Sequence, residues 1–191
     1  MRVIAGEAKG RRLVVPQGGG TRAATDRIRE TLFGILEPVL ADALVLDLFA
    51  GAGTFGIEAL SRGAARVTFV EKASKAIAAL KQNLETTGFT GRATVVRADA
   101  LAYVTGPLRA DIAFCDPPFA DVETHGQVLA KLAAPDRLIV ARALRKHLPA
   151  VPPTLTVTRT KDIGEETLLF LNYSGTASSG GYPERGHSVS R

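Results

Sequence analysis

At 191 residues and 46% hydrophobic content, the chain has enough apolar material for one buried core and too little length for two large ones. Its single cysteine, Cys115, excludes an internal disulfide, and no uncharged apolar run approaches the roughly 18 residues of a membrane span, which argues against a disulfide scaffold and a membrane protein. The net charge of +5 is concentrated near the start, where residues 1–30 hold seven bases (Arg2, Lys9, Arg11, Arg12, Arg22, Arg27, Arg29) against three acids (Glu7, Asp26, Glu30), as suits a polyanion partner or a solvated basic edge.

Arg2 to Ala5 and Arg11 to Val15 are short strand-like runs around a glycine-bearing turn, so a basic N-terminal hairpin closed by Pro16 is expected over residues 1–20. This opening segment has no apolar stretch of the signal-peptide kind, and a cytoplasmic location is expected. Gln17 to Thr21 reads as a glycine-rich connector. Thr25 and Asp26 offer cap oxygens to a helix running to about Glu37, whose apolar positions Ile28, Leu32, Ile35 and Leu36 share one face.

Leu44 to Gly56 is the stretch around which the rest is organised. An apolar run meets Asp47 and then Gly51, Gly53 and Gly56 in GxGxxG spacing, which predicts strand, tight turn and helix start, with backbone free to approach a ligand. Thr54 to Arg62 then reads as helix, Arg66 to Val70 as a strand followed by Glu71, Ser74 to Thr87 as helix and Ala93 to Arg97 as strand. Ile112 to Cys115 is a fourth strand leading into Asp116-Pro117-Pro118-Phe119; a helix around Val122 to Leu132 and a strand from Leu138 to Ala141 follow. Such alternation predicts a parallel sheet covered by helices. After Pro152 and Pro153, the runs Thr154 to Lys161 and Glu166 to Asn172 read as an antiparallel pair, and the serine- and glycine-rich residues 173–191 as a disordered tail.

In an open parallel sheet, ligands bind beyond the carboxyl ends of the strands, and four of those ends carry Asp47, Glu71, Asp99 and Asp116. Glu71 lies twenty positions after Gly51, where an acid can accept from both ribose hydroxyls of an adenosine; this fits NAD or S-adenosylmethionine. The DPPF run separates the two. Its prolines remove N–H donors and leave a carboxylate, a free carbonyl and Phe119, a set suited to an exocyclic amine on a nucleobase and hence to nitrogen methylation. Cys115 reads as a small buried side chain, and His125, His147 and His187 lack ligand-like spacing, so no metal is expected.

The segments RVIAGEAKGRRL, TRAATDRIRETLFGIL, VLDLFAGAGTFGIEALSRGA and DPPF together resemble the class I S-adenosylmethionine-dependent methyltransferases, and more closely the RsmD family, which methylates guanine N2 in small-subunit ribosomal RNA. The likeness spans about residues 1–172. It implies a Rossmann-like domain over 21–172 with a seven-stranded, mostly parallel sheet whose last strand is antiparallel, and S-adenosylmethionine as cofactor. Asp47, Gly51 and Gly53 would line the methionine end, Glu71 the ribose, Asp99 and Ala100 the adenine, and Asp116, Pro117, Pro118 and Phe119 the target base. Phe49 and Lys72 adjoin these positions and are counted with the cofactor set. The arm residues Arg2, Lys9, Arg11 and Arg12 are expected on RNA; Arg22, Arg27 and Arg29 could serve there or reach the pocket. The expected partner is 16S rRNA, naked or in a protein-bound particle, and the protein is expected to act as a monomer. The likeness leads one to expect an acid near the end of the fifth strand, but this chain has Ala141-Arg142. An adenine-N6 DNA methyltransferase, a protein glutamine methyltransferase and a non-enzymatic nucleic-acid-binding module remain alternatives.

Overall fold

A computed structural model describes residues 1–16 and 24–175; the expected connector, Arg22 and most of the expected tail lie outside the described residues. Among the described residues, twelve α-helices and strands follow the predicted alternation with one addition, besides a short 3-10 turn at Thr90–Arg92: α1 (Asp26–Leu40), β1 (Leu44–Asp47), α2 (Thr54–Ser61), β2 (Arg66–Glu71), α3 (Ser74–Thr87), β3 (Ala93–Arg97), α4 (Ala100–Tyr103), β4 (Ile112–Cys115), α5 (Val122–Leu132), β5 (Leu138–Leu144), β6 (Leu155–Ile163) and β7 (Glu166–Tyr173). The addition is α4, a single turn that Asp99 caps by accepting from the Leu101 and Ala102 N–H groups. Four residues are too few for a periodic pattern to register.

The seven strands form one sheet in the order β3-β2-β1-β4-β5-β7-β6. β1 to β5 run parallel, while β7 enters between β5 and β6 antiparallel to both. One apolar layer, built on Leu32, Phe33 and Leu36 of α1, Ile57 and Leu60 of α2 and Leu80 of α3, covers one face. Val128, Leu129 and Leu132 of α5, with Ala100 and Val104, cover the other. β4 is buried along its whole length, and Phe114 packs against Phe33 and Phe55 at ring separations of 5.9 and 5.5 Å. A strand covered on both faces is what an uninterrupted apolar run encodes.

Several boundaries differ from expectation. α1 continues past Glu37 and through Pro38, because the wholly buried Leu40 holds the last turn to the core and Pro38 forgoes only one hydrogen bond near the end. β5 extends beyond Ala141 to Leu144 because β7 pairs with it from Ile139↔Leu171 to Leu144↔Glu166. β7 in turn carries Tyr173, placed in the tail by sequence, into register with Leu155. The basic N-terminal runs do not form continuous strands. They meet in one antiparallel bridge, Arg2↔Arg12, with Val3 donating to the Arg11 carbonyl and Leu13 to that of Met1.

What holds this arm is the helix that follows the glycine turn. Glu58 of α2, fully buried, accepts from the Ile4 and Ala5 N–H groups at 2.9 and 3.1 Å. Ser61 accepts from Ala8 N–H and donates to the Ala5 carbonyl. A Cβ at Gly6 would stand 1.8 Å from the Ser61 carbonyl oxygen, so glycine is required for that approach, which its φ of +82° also demands. Asn83 of α3 accepts from Val14 N–H at 2.7 Å and donates to the carbonyls of Val14 and of Ala52 in the glycine turn. Val3, Ala8 and Leu13 thereby join the main core.

Candidate active site

A cleft of about 780 Å³ opens at the carboxyl edge of β1, β2, β3 and β4, where the topology places the loops that follow these strands. Its wall includes Phe49, Gly51, Glu71, Lys72, Asp99, Ala100, Asp116 and Pro118, which brings eight predicted site residues together. Val15 and Pro16 form part of the rim, so the arm reaches the site.

Asp47 and Gly53 are buried behind the residues that line the cleft. Asp47 is 2% exposed and accepts from Gly56 N–H at 3.1 Å, tying β1 to the first turn of α2. Burial, with the neighbouring charges of Asp116 and Glu71, pushes its carboxyl up to about 7 against the relief from Gly56. Gly53 caps α2 at φ +82°, and a Cβ there would stand 2.3 Å from a Leu80 methyl carbon. Its absent side chain serves packing. Gly51 differs: at φ +53° its missing Cβ would face open space, so bare backbone meets the cleft.

Glu71 holds the turn from the next strand. One carboxylate oxygen accepts from Gly51 N–H at 2.8 Å, and the other from Lys72 and Ala73 N–H at 2.9 and 2.8 Å. Asp99 accepts from Lys72 Nζ at 3.2 Å across an exposed pair. Its modest burial works against ionisation, but the Lys72 hydrogen bond and the two α4 amides outweigh it and hold the carboxyl below its usual range.

Asp116 closes the far side. Burial raises its carboxyl to about 6, against the lowering effect of Arg142, while Glu166 adds to the rise. Asp116 Oδ2 accepts from Arg142 Nη1 at 2.6 Å; among the described residues, the buried Oδ1 has no hydrogen-bond partner. Pro117 is buried, Pro118 is exposed and Phe119 half-buried. Arg142, 2% exposed, also donates through Nε to Glu166 at 2.5 Å and lies 4.9 Å from the centroid of the Phe119 ring. Sequence reasoning gave Arg142 no place in the site. Its signal was a lone charge in the apolar run LIVARAL, and Glu166, on β7, supplies a carboxylate beside the position on β5 where one was expected.

Of the predicted phosphate contacts, Arg2, Lys9, Arg11, Arg12 and Arg27 are exposed. Arg29 is not. Wholly buried, it donates to Glu58 at 3.3 Å, to Asp26 at 2.8 Å and to the Arg2 carbonyl at 2.7 Å, so the expectation that it meets RNA or the pocket is corrected: its charge is spent inside the protein.

The strand order, the single antiparallel strand and a cleft at the acid-tipped carboxyl edge define the fold of the class I S-adenosylmethionine-dependent methyltransferases. SMU.776, solved in complex with SAH, shares this fold at 16% identity and TM-score 0.63, covering 75% of this chain and 48% of that one. The chain belongs to the family described as conserved hypothetical protein 95, whose model matches residues 1–172, the stretch over which the RsmD likeness runs. It is 38% identical over 175 residues to ribosomal RNA small subunit methyltransferase D of Escherichia coli, covering 86% of each chain. The solved structure of yhhF from Escherichia coli has 35% identity and TM-score 0.81, covering 91% of this chain and 97% of that one.

Proposed function

We propose that this protein is an rRNA methyltransferase that uses S-adenosylmethionine to methylate the exocyclic N2 amine of a guanine in 16S rRNA. The observation that carries the reading is Asp116: a carboxylate with one oxygen fixed by Arg142 and the other without a partner, in a turn stripped of donors by two prolines, on the wall of a cleft built for a nucleoside-bearing cofactor. The small-subunit rRNA named for the Escherichia coli relative supports the choice of nucleic acid.

The wall suits the cofactor. Bare backbone at Gly51 and half-buried Phe49 admit a flat or extended group, Glu71 is oriented toward the turn by three backbone amides, and several carboxylates favour a cation. When bound, the cofactor supplies a methyl group on positively charged sulfur. Asp116 Oδ1 would accept one N–H of the target amine and the Pro117 carbonyl could take the other, drawing density onto a nitrogen whose lone pair is otherwise delocalised into the ring. An amine that gains a methyl group must lose a proton, and Asp116 Oδ1, bonded to that N–H, would accept it and pass it to solvent. Phe119 would stack on the extruded base. Arg2, Lys9, Arg11 and Arg12 would hold the phosphate backbone, with Arg27 nearer the domain.

Labelled S-adenosylmethionine, incubated with small-subunit particles and in parallel with naked 16S rRNA, both from cells lacking the enzyme, tests the reading. Label should be recovered in N2-methylguanosine. Asp116→Ala should keep cofactor affinity while lowering single-turnover transfer by orders of magnitude. Label in N6-methyladenosine, or none in RNA, would reject the assignment.

A further inference from the structure

Beside the catalytic motif lies a row of charges, buried at Asp116 and Arg142 and half-buried at Glu166, that crosses three strands. Asp116 follows β4, Arg142 sits in β5 and Glu166 opens β7; Cys115↔Ala141 and Leu144↔Glu166 are in register, so the row is set by strand pairing and not by loops. Arg142 Nε meets Glu166 at 2.5 Å, Nη1 meets Asp116 at 2.6 Å, and the guanidinium carbon lies 4.9 Å from the Phe119 ring centroid. Such a fork, pinned at one end by a carboxylate, leaves the other carboxylate little rotational freedom.

Resting on the methyltransferase reading above, we propose that Arg142 is the positioning residue of this site: anchored by Glu166, it fixes the rotation of Asp116 through Oδ2, so that Oδ1 is the oxygen left for the target amine, and it supports Phe119 from beneath. The geometry assigns Arg142 to orientation and charge, not to contact with the substrate. Its charge also keeps Asp116 ionised near neutrality. Burial raises Asp116, Arg142 lowers it and Glu166 raises it; Asp47 of β1 and the buried Cys115 thiol are the other titratable groups coupled to it, while His125 of α5 lies beside Cys115. Removing the guanidinium removes the lowering contributions and leaves the rest.

The test reads Asp116 directly. In protein carrying carbon-13 at aspartate carboxyls, with the Asp116 resonance assigned by its loss in Asp116→Asn, the wild-type group should titrate near 6. In Arg142→Met it should titrate more than one pH unit higher, the acid limb of the single-turnover profile should move with it, and S-adenosylmethionine affinity should stay within about twofold of wild type. Arg142→Lys keeps a charge without the fork: Asp116 should titrate near its wild-type position, yet transfer at pH 8 should fall at least tenfold. Folding of each variant is checked by circular dichroism, and the lysine variant carries the test if the methionine variant fails to fold. An unmoved Asp116 titration in Arg142→Met, or wild-type transfer by Arg142→Lys, overturns the proposal. Wild-type protein that labels a base other than guanine rejects the functional reading and leaves the Asp116 titrations to decide the role of Arg142.

Discussion

Glu71 has about four acceptor positions on its two oxygens, and backbone amides of Gly51, Lys72 and Ala73 occupy three of them. One position therefore remains on a carboxylate whose orientation is already set, and a ribose hydroxyl can take it without reorganising the turn. Glu71→Ala should weaken S-adenosylmethionine binding by about 1.5 to 3 kcal/mol, the range for hydrogen bonds to a charged group, as read by calorimetry; unchanged affinity would reject the ribose assignment. Asp47 makes a different prediction. Its folded-state carboxyl, near 7, lies above the unfolded value of 3.8, so between about pH 4 and 7 the folded protein binds a proton that the unfolded chain does not. The stability this contributes is complete below pH 4 and is lost as pH rises through 7. Asp47→Asn should flatten that slope, leaving the protein on the order of 1 to 3 kcal/mol less sensitive to a change from pH 5 to pH 8 in urea unfolding. A slope as steep as wild type would remove Asp47 as its source.

At the scale of elements, α2 joins the glycine turn to the arm. Glu58 is where they meet: it receives two arm amides, the buried Arg29 and, at 2.8 Å, Arg62 Nε. Glu58→Ala leaves Arg29 charged and buried with Asp26 as its one carboxylate partner among the described residues, and should cost about 3 to 5 kcal/mol in urea unfolding. Exposed Arg27→Ala should stay within about 0.5 kcal/mol, and a similarly small cost for Glu58→Ala would show the arm to be held by its apolar contacts alone. The arm's outward charge is tested separately. Neutralising Lys9, Arg11 and Arg12 together should flatten the log-log dependence of RNA binding on salt by about 2 to 3, at roughly 0.7 to 0.9 per phosphate contact, with cofactor affinity unaltered. A folded triple variant with wild-type RNA affinity and salt slope would place the phosphate contacts elsewhere.

For the molecule as a whole, the doubly wound architecture was legible because four of the five parallel strands are short apolar runs ending at or within two residues of an acid, and each helix has its own cap or terminating glycine. The cleft was legible for the same reason, since carboxyl strand ends converge whatever the loops contain. What stayed hidden depends on pairing between segments far apart in sequence. Nothing local says that β7 inserts beside β5, so neither the length of β5 nor the meeting of Arg142 with Asp116 and Glu166 could be read. Arg29 looked like surface charge because its buried partner, Glu58, lies 29 positions away. Nor could spacing show that Asp47 and Gly53 lie buried behind the residues lining the cleft.

The clamps on the arm also bear on the order in which a growing chain can finish itself. Glu58 lies 54 residues after Ile4, and Asn83 lies 69 after Val14. At about 5 to 20 residues per second, the arm waits roughly 3 to 14 seconds before Asn83 has been added. Until then Val15 and Pro16 lack the Asn83 clamp beside them, so this part of the rim, made well before α3, is set only once α3 has been added.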